Sequence, residues 1–279
     1  MPQSGTFLDA EPGKVRRIGF MVVAGLTVLA TWILFGSIFA FFMPWVANPG
    51  EGPGYAFPET HRWHDAQYGA HTATLLGGTA ALLFLRRTRK PILMQFLILA
   101  SIVYAVLGTM TGHPETLASL ALAVILALLY PNRRDLLRIS PMNWNLPLLA
   151  VAIAAALIAL PYAIDMFRMQ LNHNAGDEHG EFGHWGMALI LLINLLLAGV
   201  LAATRRPGSH ALGVLAGFAF IYLGVAALTS RDAAGFPPLG IWSTVPALLS
   251  ILAGVGYIGA SLLDERLAAL FPPRAKPAT

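Results

Sequence analysis

Eight stretches of mostly apolar residues, at 18–43, 66–85, 92–111, 116–131, 145–164, 183–203, 210–229 and 240–262, alternate with short polar turns along the 279-residue chain. Each is close to the roughly 20 residues that an α-helix needs to cross the hydrocarbon core of a bilayer. The pattern predicts an all-α integral membrane protein of eight transmembrane helices. Composition agrees, because a chain that is 56% hydrophobic and 11% charged has too few charges to coat a soluble globule of this size. The first stretch begins only after Lys14, Arg16 and Arg17, is too long for a signal peptide and has no small-x-small cleavage site, so it is expected to remain as a span.

Charge predicts the orientation. Assigning the turns alternately to two faces places fifteen of the 18 Lys and Arg residues on one side, in runs such as Arg86–Lys90, Arg133–Arg138 and Arg205–Arg206, and leaves only Arg62, Arg168 and Arg231 on the other. By the positive-inside rule both termini are then cytoplasmic, in a cell (inner) membrane. Glu51, Glu59, Asp65, Asp177, Glu178 and Glu181 fall on the outer side with Trp45, Trp63, Trp185 and Trp242, which are expected as headgroup-level anchors. The net charge of +4 is thus topological; the expected partners are membrane lipids and another membrane subunit or respiratory-chain component, with no nucleic acid. Cysteine is absent, which excludes thiolate metal sites, iron–sulfur clusters and disulfides.

The segments "IVYAVLGTMTG" (102–112) and "FIYLGVAALTS" (220–230) each end the third span of a four-span set, and each set has a long outer loop before a histidine-bearing second span. The chain therefore reads as a cytoplasmic tail (1–17), a first four-helix half (18–135), a second half (141–265) and a second cytoplasmic tail (266–279). Two tandem halves with an even number of spans are related by a pseudo-twofold axis along the membrane normal.

Seven of the eight histidines fall on the outer side. With Thr60 as N-cap, His61, His64, Tyr68 and His71 sit at i, i+3, i+7 and i+10 and share one helix face. The i, i+3 pair His61 and His64 can chelate one ion, and His179, Glu178 and Glu181 of the second outer loop can complete a shell for copper or zinc. Alternatively His71 and His184, from the second helix of each half, clamp one haem, with His64 and His113 as further ligands and Arg62 serving a propionate. Glu59 is the candidate catalytic carboxylate. The plain alternative is that the loop histidines face water and His71 bonds a neighbouring Thr or carbonyl. Spans without carboxylates disfavour an ion pump.

Eight spans in two halves, with "ETHRWH", "GHPETLASLALA" and "GHWG" at the outer ends of even-numbered spans, resemble the haem A synthase family. The resemblance implies haem held by His61 or His64, His113 and His184, and a role for Glu59 in oxidising a haem methyl group. The chain departs from that family in having Trp242 where a last histidine would stand, in lacking its loop cysteines and in its glutamate–histidine spacing. The expected function is a haem- or metal-binding membrane oxidoreductase with an outer site; the other class is a non-enzymatic transporter or assembly factor that passes a metal ion, a lipid or a small apolar solute.

Overall fold

A computed structural model of the chain describes residues 13–34, 36–46, 61–85, 90–131, 133–137, 143–230 and 244–270. Glu59, Thr60, Trp242, Arg231 and the basic run 86–89 lie outside the described residues.

Among the described residues every regular element is a helix. Helix α1 (Lys14–Leu29) runs on through a wide π turn at Ala30–Leu34, and α2 is Ser37–Val46. Next come α3 (Arg62–Tyr68), a π-helical stretch (Gly69–Gly77) and α4 (Gly78–Leu85), which follow one another without a break. Helix α5 is Pro91–Met110, α6 is Leu117–Leu129 after a 3₁₀ turn at Pro114–Thr116, and α7 is Arg133–Leu137. The later elements are α8 (Leu146–Leu171), the single turn α9 (Glu178–Glu181), α10 (His184–Ala202), α11 (Ser209–Thr229) and α12 (Thr244–Leu270).

Among the described residues, six segments are long and apolar enough to cross a membrane: Lys14–Val46, α5, α8, α10, α11 and Thr244–Leu263. The other two expected spans are also helical, as the composite α3–α4 run and as Pro114–Leu129, an apolar helix below span length.

Helix starts follow local chemistry. The Asn145 side chain accepts from Leu148 N at 3.3 Å and caps α8, satisfying one of the amides that a first turn leaves orphaned. Gly183 precedes α10 with φ +73°, a conformation that costs any residue with a Cβ.

Helix α10 is the hub, packing against α8, α11, α5 and α3, while α11 pairs along its length with α12 and α5 pairs with α6. The α11–α12 approach is close enough that a Cβ on Gly217 or Gly254 would run into the other's carbonyl oxygen. Small residues permit such backbone contact where apolar burial gives no drive between helices. Trp63, Phe96, Leu126, Leu212 and Tyr257 are fully buried in one continuous core.

Two tryptophans differ from expectation. Trp63 is fully buried and Trp185 nearly so. Each instead uses its N–H inside the protein: Trp63 Nε1 donates to Tyr162 Oη at 2.9 Å and Trp185 Nε1 to Asp177 Oδ2 at 3.0 Å.

Candidate functional site

Helix α3 and the α9–α10 corner carry histidines from distant parts of the chain into one cluster. His61 and His64 come from the start of α3, His179 from α9 and His184 from the first position of α10. The His61 ring centroid lies 4.5 Å from that of His179 and 4.6 Å from that of His184. His64 lies 5.1 Å from His179 and stacks on His184 at 5.4 Å. Trp185 closes one side, 4.8 Å from His64 and 4.9 Å from His179.

The polar atoms of this cluster are short of partners. His61 Nε2, both ring nitrogens of His64, His179 Nε2 and His184 Nδ1 are buried with no group in hydrogen-bonding geometry, although the Gln67 amide lies close to His64. A buried donor or acceptor left unmade costs about 1–3 kcal/mol, so five such nitrogens side by side need a compensating interaction. No three His, Asp or Glu side chains among the described residues have donor atoms already converged on a single ion. The imidazole χ2 torsion is soft, and rotations of these rings would redirect the orphaned nitrogens. The environment also keeps His61 neutral. Burial first, and then the neighbouring His179, push His61 at the mouth of the cluster down to about 4, which leaves its nitrogen lone pair available at neutral pH.

Two side chains hold the corner in place. Gln170, 1% exposed near the end of α8, donates to the Gly180 carbonyl at 2.7 Å and accepts from Gly186 N at 3.1 Å. One amide thereby straps α9 and α10 together. Asp177 accepts from His179 N at 3.2 Å as the cap of α9. The indole N–H of Trp185 is the main reason its carboxyl is held below the usual range. Neither glutamine, Gln67 or Gln170, stood out in the sequence; the available signal was an amide in an otherwise apolar helix.

Below the cluster lies a cavity of about 510 Å³ enclosed by α1, α3, α5, α6 and the start of α10. His61, His64, Asp65, His113 and His184 line it with Glu115 and Glu178, and Tyr68, Tyr104 and a series of Thr and Ser hydroxyls continue inward. That volume is in the range of small-ligand sites.

The remaining expected residues divide plainly. His113 borders the cavity, bonds Glu115 at 3.0 Å and sits so close to Gly183 that a Cβ there would press on its ring. Glu178 lines the cavity, whereas Glu181 accepts from Gly176 N at 2.8 Å and closes its own loop. Arg62 points away, donating to the Pro44 carbonyl at 2.9 Å from Nε and to the Thr229 carbonyl at 3.4 Å; it satisfies carbonyls in the last turns of α2 and α11. His71 is not brought to the cluster. Asn194 Nδ2 meets its Nε2 at 2.7 Å and Thr72 Oγ1 meets its Nδ1 at 3.1 Å, so both ring nitrogens are engaged. The physical reason is the ladder, which widens to π geometry from Gly69, between Tyr68 and His71, and turns the later side chains off the α-helical stripe.

Comparison with known proteins returns no match, whether against family models, curated proteins or solved structures.

Proposed function

We propose that this chain is an eight-span protein of a cell (inner) membrane, arranged as two four-helix halves with both termini cytoplasmic. Its four-histidine cluster binds one transition-metal ion, copper or zinc, on the extracytoplasmic side, where the ion faces a cavity of substrate size. The observation that carries this reading is the set of five buried, unpartnered imidazole nitrogens on His61, His64, His179 and His184. Neutral imidazole suits both metals, and four nitrogen donors complete a tetrahedral shell. Asp177, which faces His179 across 3.7 Å, is the carboxylate that would orient a ligating ring from outside the shell. Bound in this way, the ion would polarise or exchange electrons with a small molecule held below it, and the hydroxyl-lined wall would position that molecule. The orientation is supported by Lys90, Arg133, Arg134, Arg205 and Arg206, which stand at helix ends in the turns that alternate with the outer loops.

Haem is the second reading. The cavity favours it, since His64, His113 and His184 all border a space of about 510 Å³. His71, with both ring nitrogens engaged by Asn194 and Thr72, is left out of the proposed ligand set in either case.

The test is equilibrium dialysis of the purified protein in nanodiscs against Zn²⁺ and Cu²⁺, with an absorption spectrum of the same sample. One ion per chain, with affinity reduced at least tenfold in His64→Ala, supports the metal site; a Soret band lost in His184→Ala supports haem. A colourless protein that binds neither ion overturns both.

A further inference from the structure

A second cavity, of about 340 Å³, lies on the other side of α3, between α8, α10, α11 and α12. Its walls are Ala, Leu, Ile, Val and Phe side chains, and its polar groups gather around Gln67 and Tyr162, with Ser250 elsewhere on the wall. Ser250 is already committed, donating to the Phe220 carbonyl at 2.7 Å. Gln67 Nε2 donates to Tyr162 Oη at 3.3 Å, yet Gln67 Oε1, in an amide that lies close to His64, is buried with no group in hydrogen-bonding geometry in a residue only 3% exposed. The cavity reaches the outer surface of the helices, where Ile158 of α8 and Leu249 of α12 are both about half exposed.

We infer that this cavity binds a lipid-soluble molecule with a hydroxyl head and a single apolar chain, entering between α8 and α12 and bonding Gln67 with its head. Three features select that chemistry. The wall is apolar over nearly all its length, so the ligand's body must be as well. The unmade bond at Gln67 calls for a polar head, and a hydroxyl both donates and accepts, satisfying the amide in either of its orientations. A charged head would meet no Asp, Glu, Lys, Arg or His side chain among the residues lining this cavity and would carry an uncompensated desolvation cost. The head would then rest against Trp63, next in the chain to His64, so the two cavities share α3 as a common wall. Binding here does not depend on a metal at the histidine cluster.

The test is saturation binding of radiolabelled dodecan-1-ol and of a decyl hydroquinone to the full-length protein in nanodiscs, with 1-methoxydodecane as competitor. One saturable site per chain is expected, with the methyl ether competing at least fivefold more weakly than the alcohol, because the ether cannot donate to Gln67. Tighter binding of dodecanol would point to a fatty alcohol as the source of the head, tighter binding of the hydroquinone to a phenolic one. Gln67→Leu should weaken binding at least fivefold, and Ala155→Phe, which fills the cavity from α8, should abolish it. If Gln67→Leu does not fold, the ether comparison and Ala155→Phe decide. Non-saturable uptake, an ether as potent as the alcohol, or full binding in Ala155→Phe would overturn the inference.

Discussion

The imidazoles of His64 and His184 lie nearly parallel, 15° apart with centroids separated by 5.4 Å, although one comes from α3 and the other opens α10. This contact joins the two histidine-rich segments of the chain into one site. If both rings serve a single ion, their effects on affinity must be coupled. His64→Ala and His184→Ala should each weaken zinc or copper binding at least tenfold, and the double variant should be little worse than the weaker single. Fully additive losses in a competition titration would mean that the two rings act at separate sites.

His71 is expected to act structurally, through its bonds to Asn194 and Thr72. Asn194→Ala removes the partner of a fully buried Nε2, and the unmade bond should destabilise the protein by about 1–3 kcal/mol. Metal affinity should be unchanged, because His71 lies outside the cluster. Denaturant unfolding in mixed micelles measures the first effect, dialysis the second; an affinity loss equal to that of His64→Ala would return His71 to the ligand set.

The cluster should make stability depend on pH in a definite direction. A histidine in an unfolded chain titrates near 6.5, while His61 in the fold is pushed down to about 4. The unfolded chain therefore takes up this proton first as pH falls. The contribution is fully present above about pH 6.5 and is lost progressively from there towards pH 4. Metal-free His61→Gln, which cannot titrate at this position, should lose less melting temperature than the parent between pH 7 and pH 4.5. Identical slopes would contradict the burial of a neutral His61.

Gln170 is a positioning residue. Gln170→Leu removes both the donor to Gly180 and the acceptor for Gly186, so α9 should loosen and carry His179 away from the other rings. Metal affinity is expected to fall about tenfold, with faster amide exchange confined to residues 177–186; Gln170→Glu, which keeps an acceptor for Gly186 N, should recover part of the loss. Unchanged exchange together with unchanged affinity would leave the strap without a role.

Much of this was legible in the sequence, and the failures have physical causes. Apolar runs of span length located the helices, since backbone groups in lipid can only be satisfied internally. Reading the His61 and His64 pair together with His179 of the second outer loop anticipated which segments meet. The α-helical stripe that should have included His71 failed because no residue pattern announces a π stretch, whose wider turns here accompany Gly69 packed on Phe41 and Gly77 packed on the Trp32 indole. Trp63 and Trp185 read as interfacial anchors because burial of an indole depends on a partner such as Tyr162, far away in the chain.

The absence of native cysteine makes topology directly testable. Asn174→Cys lies in the α8–α9 loop and Arg134→Cys at an exposed position of α7. An impermeant maleimide should label the first in intact cells and the second only after permeabilisation. Labelling of both from one side would require an even number of crossings between them, which a single span at α8 does not allow.

The most direct measurement of the metal site is X-ray absorption of the zinc- or copper-loaded protein. The expected result is a first shell of nitrogen at about 2.0 Å, with outer-shell scattering from at least three imidazoles and one ring fewer in His64→Ala. A shell of oxygen alone, or a spectrum that His64→Ala leaves unchanged, would contradict a metal centre built from these four histidines.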